Sequence, residues 1–145
     1  MNRKTTCILA IAMTGALVAG CGEGTDPKEE YIANGDEICA LGTFQIGSEA
    51  RNRYGRPAPP PEQAPRFARQ VIVPTLQTQV IVKLRELTPP EGDEQRVAAV
   101  YDELESAVGR LRRNPDLISE PSIGGAFDEA NRLAQAYGFQ QCGSS

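Results

Sequence analysis

Arg66-Phe67-Ala68-Arg69-Gln70-Val71-Ile72-Val73-Pro74-Thr75-Leu76-Gln77-Thr78-Gln79-Val80-Ile81-Val82-Lys83-Leu84-Arg85-Glu86-Leu87 decides the fold. Read as strands, Gln70-Val71-Ile72-Val73 and its near-copy Gln79-Val80-Ile81-Val82 are two β-branched runs with a proline between them. Read as a helix, Val73, Leu76, Val80, Leu84 and Leu87 keep a spacing of three or four. Lys83 to Leu87 continues that stripe without strand alternation. The pattern therefore predicts one long helix over 66–87, kinked at Pro74, where an amide donor is missing. Thr88-Pro89-Pro90 stops it.

Helical signals recur on both sides. Asp26 followed by Pro27, Glu29 and Glu30 is a cap, a proline at the first position and acids in the first turn. Beyond it Ile32, Gly35, Cys39, Gly42 and Ile46 form one stripe, widened by Ile38, Leu41 and Phe44. A glycine inside a helix costs about 1 kcal/mol relative to alanine, so Gly35, Gly42 and Gly47 call for a reason. Two are open: a flat seam on which another backbone packs, or a groove lined by Gly35, Gly42 and Ile46 that holds a ligand. Four prolines between 57 and 61 then impose an extended connector. Gly92-Asp93-Glu94 opens a third helix with Val97, Val100, Tyr101, Leu104, Val108 and Leu111 on one face, and Asn114-Pro115 ends it. Arg110, Arg112 and Arg113 in its last turn oppose the macrodipole and need no phosphate ligand. A fourth helix is expected over about 125–137, with Phe127, Ala130, Ala134 and Tyr137 inward and Gly138-Phe139 as its left-handed cap. Four amphipathic segments predict an all-α fold, most simply an antiparallel four-helix bundle.

The N-terminus fixes a location. Arg3 and Lys4 precede an apolar run from Cys7 to Gly20, too short for the roughly 20 residues of a bilayer span and built like a secretory signal. Val18-Ala19-Gly20-Cys21 at its end resembles the lipobox of bacterial lipoproteins. That resemblance implies cleavage after residue 20 and lipidation of Cys21 with palmitate-type acyl chains. It implies a tether over 21–26, a helical domain over 27–145, and a lipid-anchored place on the extracytoplasmic face of the cell membrane. Loss of residues 1–20 takes two of the 15 basic residues and none of the 19 acidic ones, leaving a net charge of −6. An acidic surface argues against nucleic acid as a partner. With Cys7 removed and Cys21 acylated, Cys39 and Cys142 remain, and two thiols in an exported chain are expected to pair. No C-x-x-C and no histidine supports a metal or redox reading, so no metal and no cofactor is expected.

Asn34-Gly35-Asp36-Glu37-Ile38-Cys39, Leu84-Arg85-Glu86-Leu87-Thr88-Pro89-Pro90 and Ala136-Tyr137-Gly138-Phe139 through Cys142-Gly143 resemble segments of small exported helical proteins of actinobacteria. This second resemblance implies a fold and a disulfide, and no activity.

Catalytic chemistry finds no foothold. The chain has no histidine, which removes triad, Cys-His and histidine-metal mechanisms. Asp36-Glu37, Asp102-Glu103-Glu105 and Asp128-Glu129 sit at helical spacings that point neighbours apart, and no G-x-S-x-G or S-x-x-K is present. No catalytic residue is assigned. The expectation is a non-enzymatic module that engages another envelope protein, with a carrier of a small apolar ligand as the alternative.

Overall fold

The computed structural model describes residues 26–119 and 123–144. The expected signal peptide, Cys21 and most of the expected tether lie outside the described residues. Within them all regular structure is helical: α1 (Pro27–Tyr54), α2 (from Ala64 to Glu86), α3 (Glu94–Arg113) and α4 (Ile123–Tyr137), with short 3₁₀ turns at Pro61–Gln63 and Pro115–Ser119.

The ends of these helices follow their sequence signals. Asp26 accepts a hydrogen bond from the Lys28 amide at 2.9 Å, and Pro27 occupies the first position. α1 runs on through Arg51 and Arg53 until Gly55, whose φ of 69° lets its amide reach the Arg51 carbonyl. At the end of α4, Gly138 has φ 125°. Its amide bonds Gln135 O at 3.1 Å while the Phe139 amide bonds Ala134 O at 3.0 Å, the paired closure of a Schellman turn. The turn delivers Phe139, 1% exposed, into the core.

α2 is one helix, as its apolar spacing predicts, but it winds unevenly. Ala68–Ile72 and Leu76–Ile81 are π-helical, flanking a short α segment that contains Pro74. A proline inside an α-helix lacks a donor and collides with the carbonyl four residues back; a π turn takes up one extra residue and relieves both. The extra residues also set the packing. One buried row runs through Phe67, Val71, Thr75, Val80 and Leu84, with a step of five across the second π segment, and Ala68, Val73 and Ile81 are buried beside it. Nine residues are about two and a half α turns, which would put Val71 and its copy Val80 on opposite sides. With the π turns between them both are buried.

The core forms three clusters around α2. Tyr31, Val80, Leu84, Val97, Tyr101, Tyr137 and Phe139 make the first. Val73, Ile81, Val108, Leu111 and Phe127 make the second. Ala50, Phe67 and Val71 make the third. Leu41 and Phe44, grouped with the buried stripe by spacing alone, are exposed at 56% and 66%. At about 100° per residue they lie on the side of α1 away from Cys39 and Ile46.

Candidate functional site

Cys39 on α1 is joined by a disulfide to Cys142 on the C-terminal tail, across 103 residues. The tail is held twice over. Asp36, one turn before Cys39, accepts hydrogen bonds from the backbone amides of Gln140 (2.8 Å), Gln141 (2.8 Å) and Cys142 (3.2 Å). Three amides converging on one carboxylate act like a helix N-cap for a segment that is not a helix. Gln135 on α4 adds a bond to the Gly143 carbonyl at 2.5 Å.

The structure closes the proposed groove at two of its three residues. A methyl group added to Gly35 would stand 2.5 Å from the Phe139 ring, and one added to Gly42 would strike Cγ2 of Val80. These glycines serve close packing: Gly35 seats the tail and Gly42 seats α2. Gly47 is different, since a methyl group there would meet only the end of the Arg51 side chain at 3.6 Å. Nothing in the structure explains a glycine at position 47.

Ile46, the third groove residue, does line a space, on the other side of the disulfide. An open-sided cavity of about 260 Å³ lies between the four helices, the Pro115–Ser119 turn and the tail. Its walls are Ile46, Ile72, Leu76, Leu104, Ile118 and Phe127, with Val80 and the Cys39–Cys142 bridge at one end. Thr43, Gln141 and Ser144, all exposed, stand at its rim. Leu76 and Leu104 each border both the first and the second core cluster yet remain only partly buried. The cavity is thus the gap left where the clusters fail to merge.

A polar network holds the opposite end. The hydroxyls of Tyr31 and Tyr101 share a hydrogen bond at 2.5 Å. Tyr137 donates to Asp93 at 3.0 Å, which also meets Lys28 at 3.7 Å and Arg96 at 3.3 Å. The Lys28 ammonium lies 4.5 Å from the centre of the Tyr137 ring, within cation–π range. Asp93 precedes α3 without capping it; its carboxylate ties α1 and α4 to the start of α3 instead. Burial first, then hydrogen bonding, pushes the Tyr101 and Tyr137 phenols above their ordinary range, and burial outweighs the opposing hydrogen bond to raise Tyr31 as well.

The other two acidic runs lead to arginines. Arg85 bonds both Asp102 and Glu105, Arg110 bonds Glu103 and the Ala126 carbonyl, and Arg132 bonds Glu129. Among the described residues no group of three or more His, Cys, Asp or Glu side chains could hold a metal ion, and no helix is long and apolar enough to cross a membrane. Compared with protein-family models, curated proteins and solved structures, the chain matches none of them.

Proposed function

We propose that this chain is a lipid-anchored, non-enzymatic interaction module on the extracytoplasmic face of the cell membrane. Cys21 is its acylated N-terminus, residues 21–26 its tether, and the remainder an antiparallel four-helix bundle that engages another envelope protein. Several contacts support the bundle. The start of α1 meets the start of α3 through Lys28 and Asp93 and the end of α4 through Tyr31 and Tyr137. Arg85 near the end of α2 reaches Asp102 in the first half of α3. Alternating helix directions produce this set of neighbours.

The observation that carries the docking role is the pair Leu41 and Phe44. A surface helix ordinarily has one apolar face turned to its core. α1 buries that face and displays two large apolar side chains on its other side, on a helix whose neighbouring turn is fixed by a disulfide. Apolar side chains on a rigid element supply contact area with little ordering cost, which suits a protein partner. The test is a photo-crosslinking residue at position 44 in living cells. A discrete adduct with one envelope protein, lost on Leu41→Glu, supports the reading; illumination that yields no discrete adduct rejects it. For the anchor, Cys21→Ser should release the protein from the membrane. A variant that stays membrane-bound and still loses its signal peptide would show the lipobox reading to be wrong.

A further inference from the structure

We infer that the cavity beside the Cys39–Cys142 bridge is a binding site for one small, neutral, largely apolar molecule of ring size carrying a single hydrogen-bonding group. The site is independent of the outward face of α1, because Ile46 and Thr43 turn toward it while Leu41 and Phe44 turn away.

The size of the occupant follows from the volume. An apolar cavity of about 150 Å³ holds benzene. In that proportion about 260 Å³ holds roughly ten non-hydrogen atoms, the size of a bicyclic ring or a branched chain. Its polarity follows from the lining. Ile72, Leu76, Leu104 and Phe127 offer no hydrogen bond, and no charged side chain is among the residues that line the space. An ion would have no counter-charge there, and desolvation would exclude it. The hydrogen-bonding groups Thr43, Gln141 and Ser144 gather at the rim, so the occupant's one polar group faces outward between them. Apolar walls with a few polar groups at one end are the ordinary composition of a small-molecule site. The site's entrance is held in shape by the disulfide and by the three amides bound to Asp36, both of which fix the tail that forms the rim.

Indole, a neutral bicycle with one N–H donor, is the probe. The full chain, held in phosphatidylcholine nanodiscs and carrying ¹³C-labelled isoleucine methyl groups, is titrated with it by NMR. The expected result is saturable binding with a dissociation constant at or below about 1 mM, and intermolecular NOEs from the indole ring to Ile46, Ile72 and Ile118. Leu104→Trp, which fills the space from within, should weaken binding about tenfold or more. Should that variant fail to fold, Leu76→Phe replaces it with the same expectation. NOEs absent from those three methyl groups in the unmodified chain overturn the inference. So does binding that survives in the folded, filled variant, which would place indole in the lipid or on the surface.

Discussion

Replacing Gly42 by alanine sets two effects of known size against each other. The helix interior gains about 1 kcal/mol from the better helix former. Against this, the new methyl group would fall on Cγ2 of Val80. Val80 is 2% exposed and, being β-branched in a helix, has essentially one rotamer, so it cannot swing aside. Overpacking of this kind costs about 1–3 kcal/mol, and Gly42→Ala should therefore give no gain and destabilise by up to about 2 kcal/mol net. Val80→Ala alone should cost about 1.5–3 kcal/mol through lost burial. In the double variant the alanine methyl at 42 occupies space that the valine vacated, and the two effects should fall short of their sum by about 1 kcal/mol or more. Gly47→Ala is the internal control: with only the tip of Arg51 nearby, it should stabilise by up to about 1 kcal/mol. Urea unfolding followed by far-UV circular dichroism measures the four variants against the unsubstituted chain. If Gly42→Ala stabilises as Gly47→Ala does, or if the pair at 42 and 80 is additive, α2 does not press on α1 at that glycine and the closed seam is wrong.

Three further outcomes follow from the same contacts. Tyr31→Phe should cost about 1–2 kcal/mol because it strands the buried Tyr101 hydroxyl, whereas Tyr31→Phe with Tyr101→Phe together should cost less than that single change; equal additive losses would refute the shared bond. Reducing the disulfide opens a link across 103 residues, worth about 4–5 kcal/mol in the chain-entropy model; a midpoint shift in urea equivalent to under about 1 kcal/mol would contradict it. In alkaline solution the raised phenols of Tyr31, Tyr101 and Tyr137 keep their protons in the folded chain after the unfolded chain has lost them. The stability they contribute is complete below about pH 10 and is lost as the pH climbs from there toward their folded values. Tyrosinate absorbance from these three should rise together with loss of helicity; a rise that precedes unfolding would contradict their burial.

What the sequence made legible was local. Asp26-Pro27, Gly138-Phe139 and Asn114-Pro115 each mark a helix end through chemistry confined to a few residues, and the structure places helix ends at all three. The spacing of three or four picked out residues of α2 that do reach the core, Val73, Val80 and Leu84 buried and Leu76 and Leu87 packed against them, but not the π turns around Pro74 that also bury Val71 and Thr75. Leu41 and Phe44 were grouped with the core for a related reason: periodicity counts apolar residues near a stripe, and only packing distinguishes its edge from the far side. Asp36 and Asp93 read as a solvated acid and a helix start; their partners lie 104 and 44 residues away, where no local pattern points. The cavity was the least legible feature. Ile72, Leu104 and Ile118 are ordinary core residues by type, and the space between them exists only because three clusters meet without closing. Gly35 and Gly42 drew the eye to the helix, while the opening lies along Ile46.

Intact-mass spectrometry of the protein isolated from its own membranes tests the anchored, stapled module most directly. The account predicts a chain beginning at Cys21, heavier by its acyl groups, with Cys39 and Cys142 refusing an alkylating reagent until a reductant is added. An unacylated chain, or one in which both cysteines take up the reagent without reductant, would contradict it.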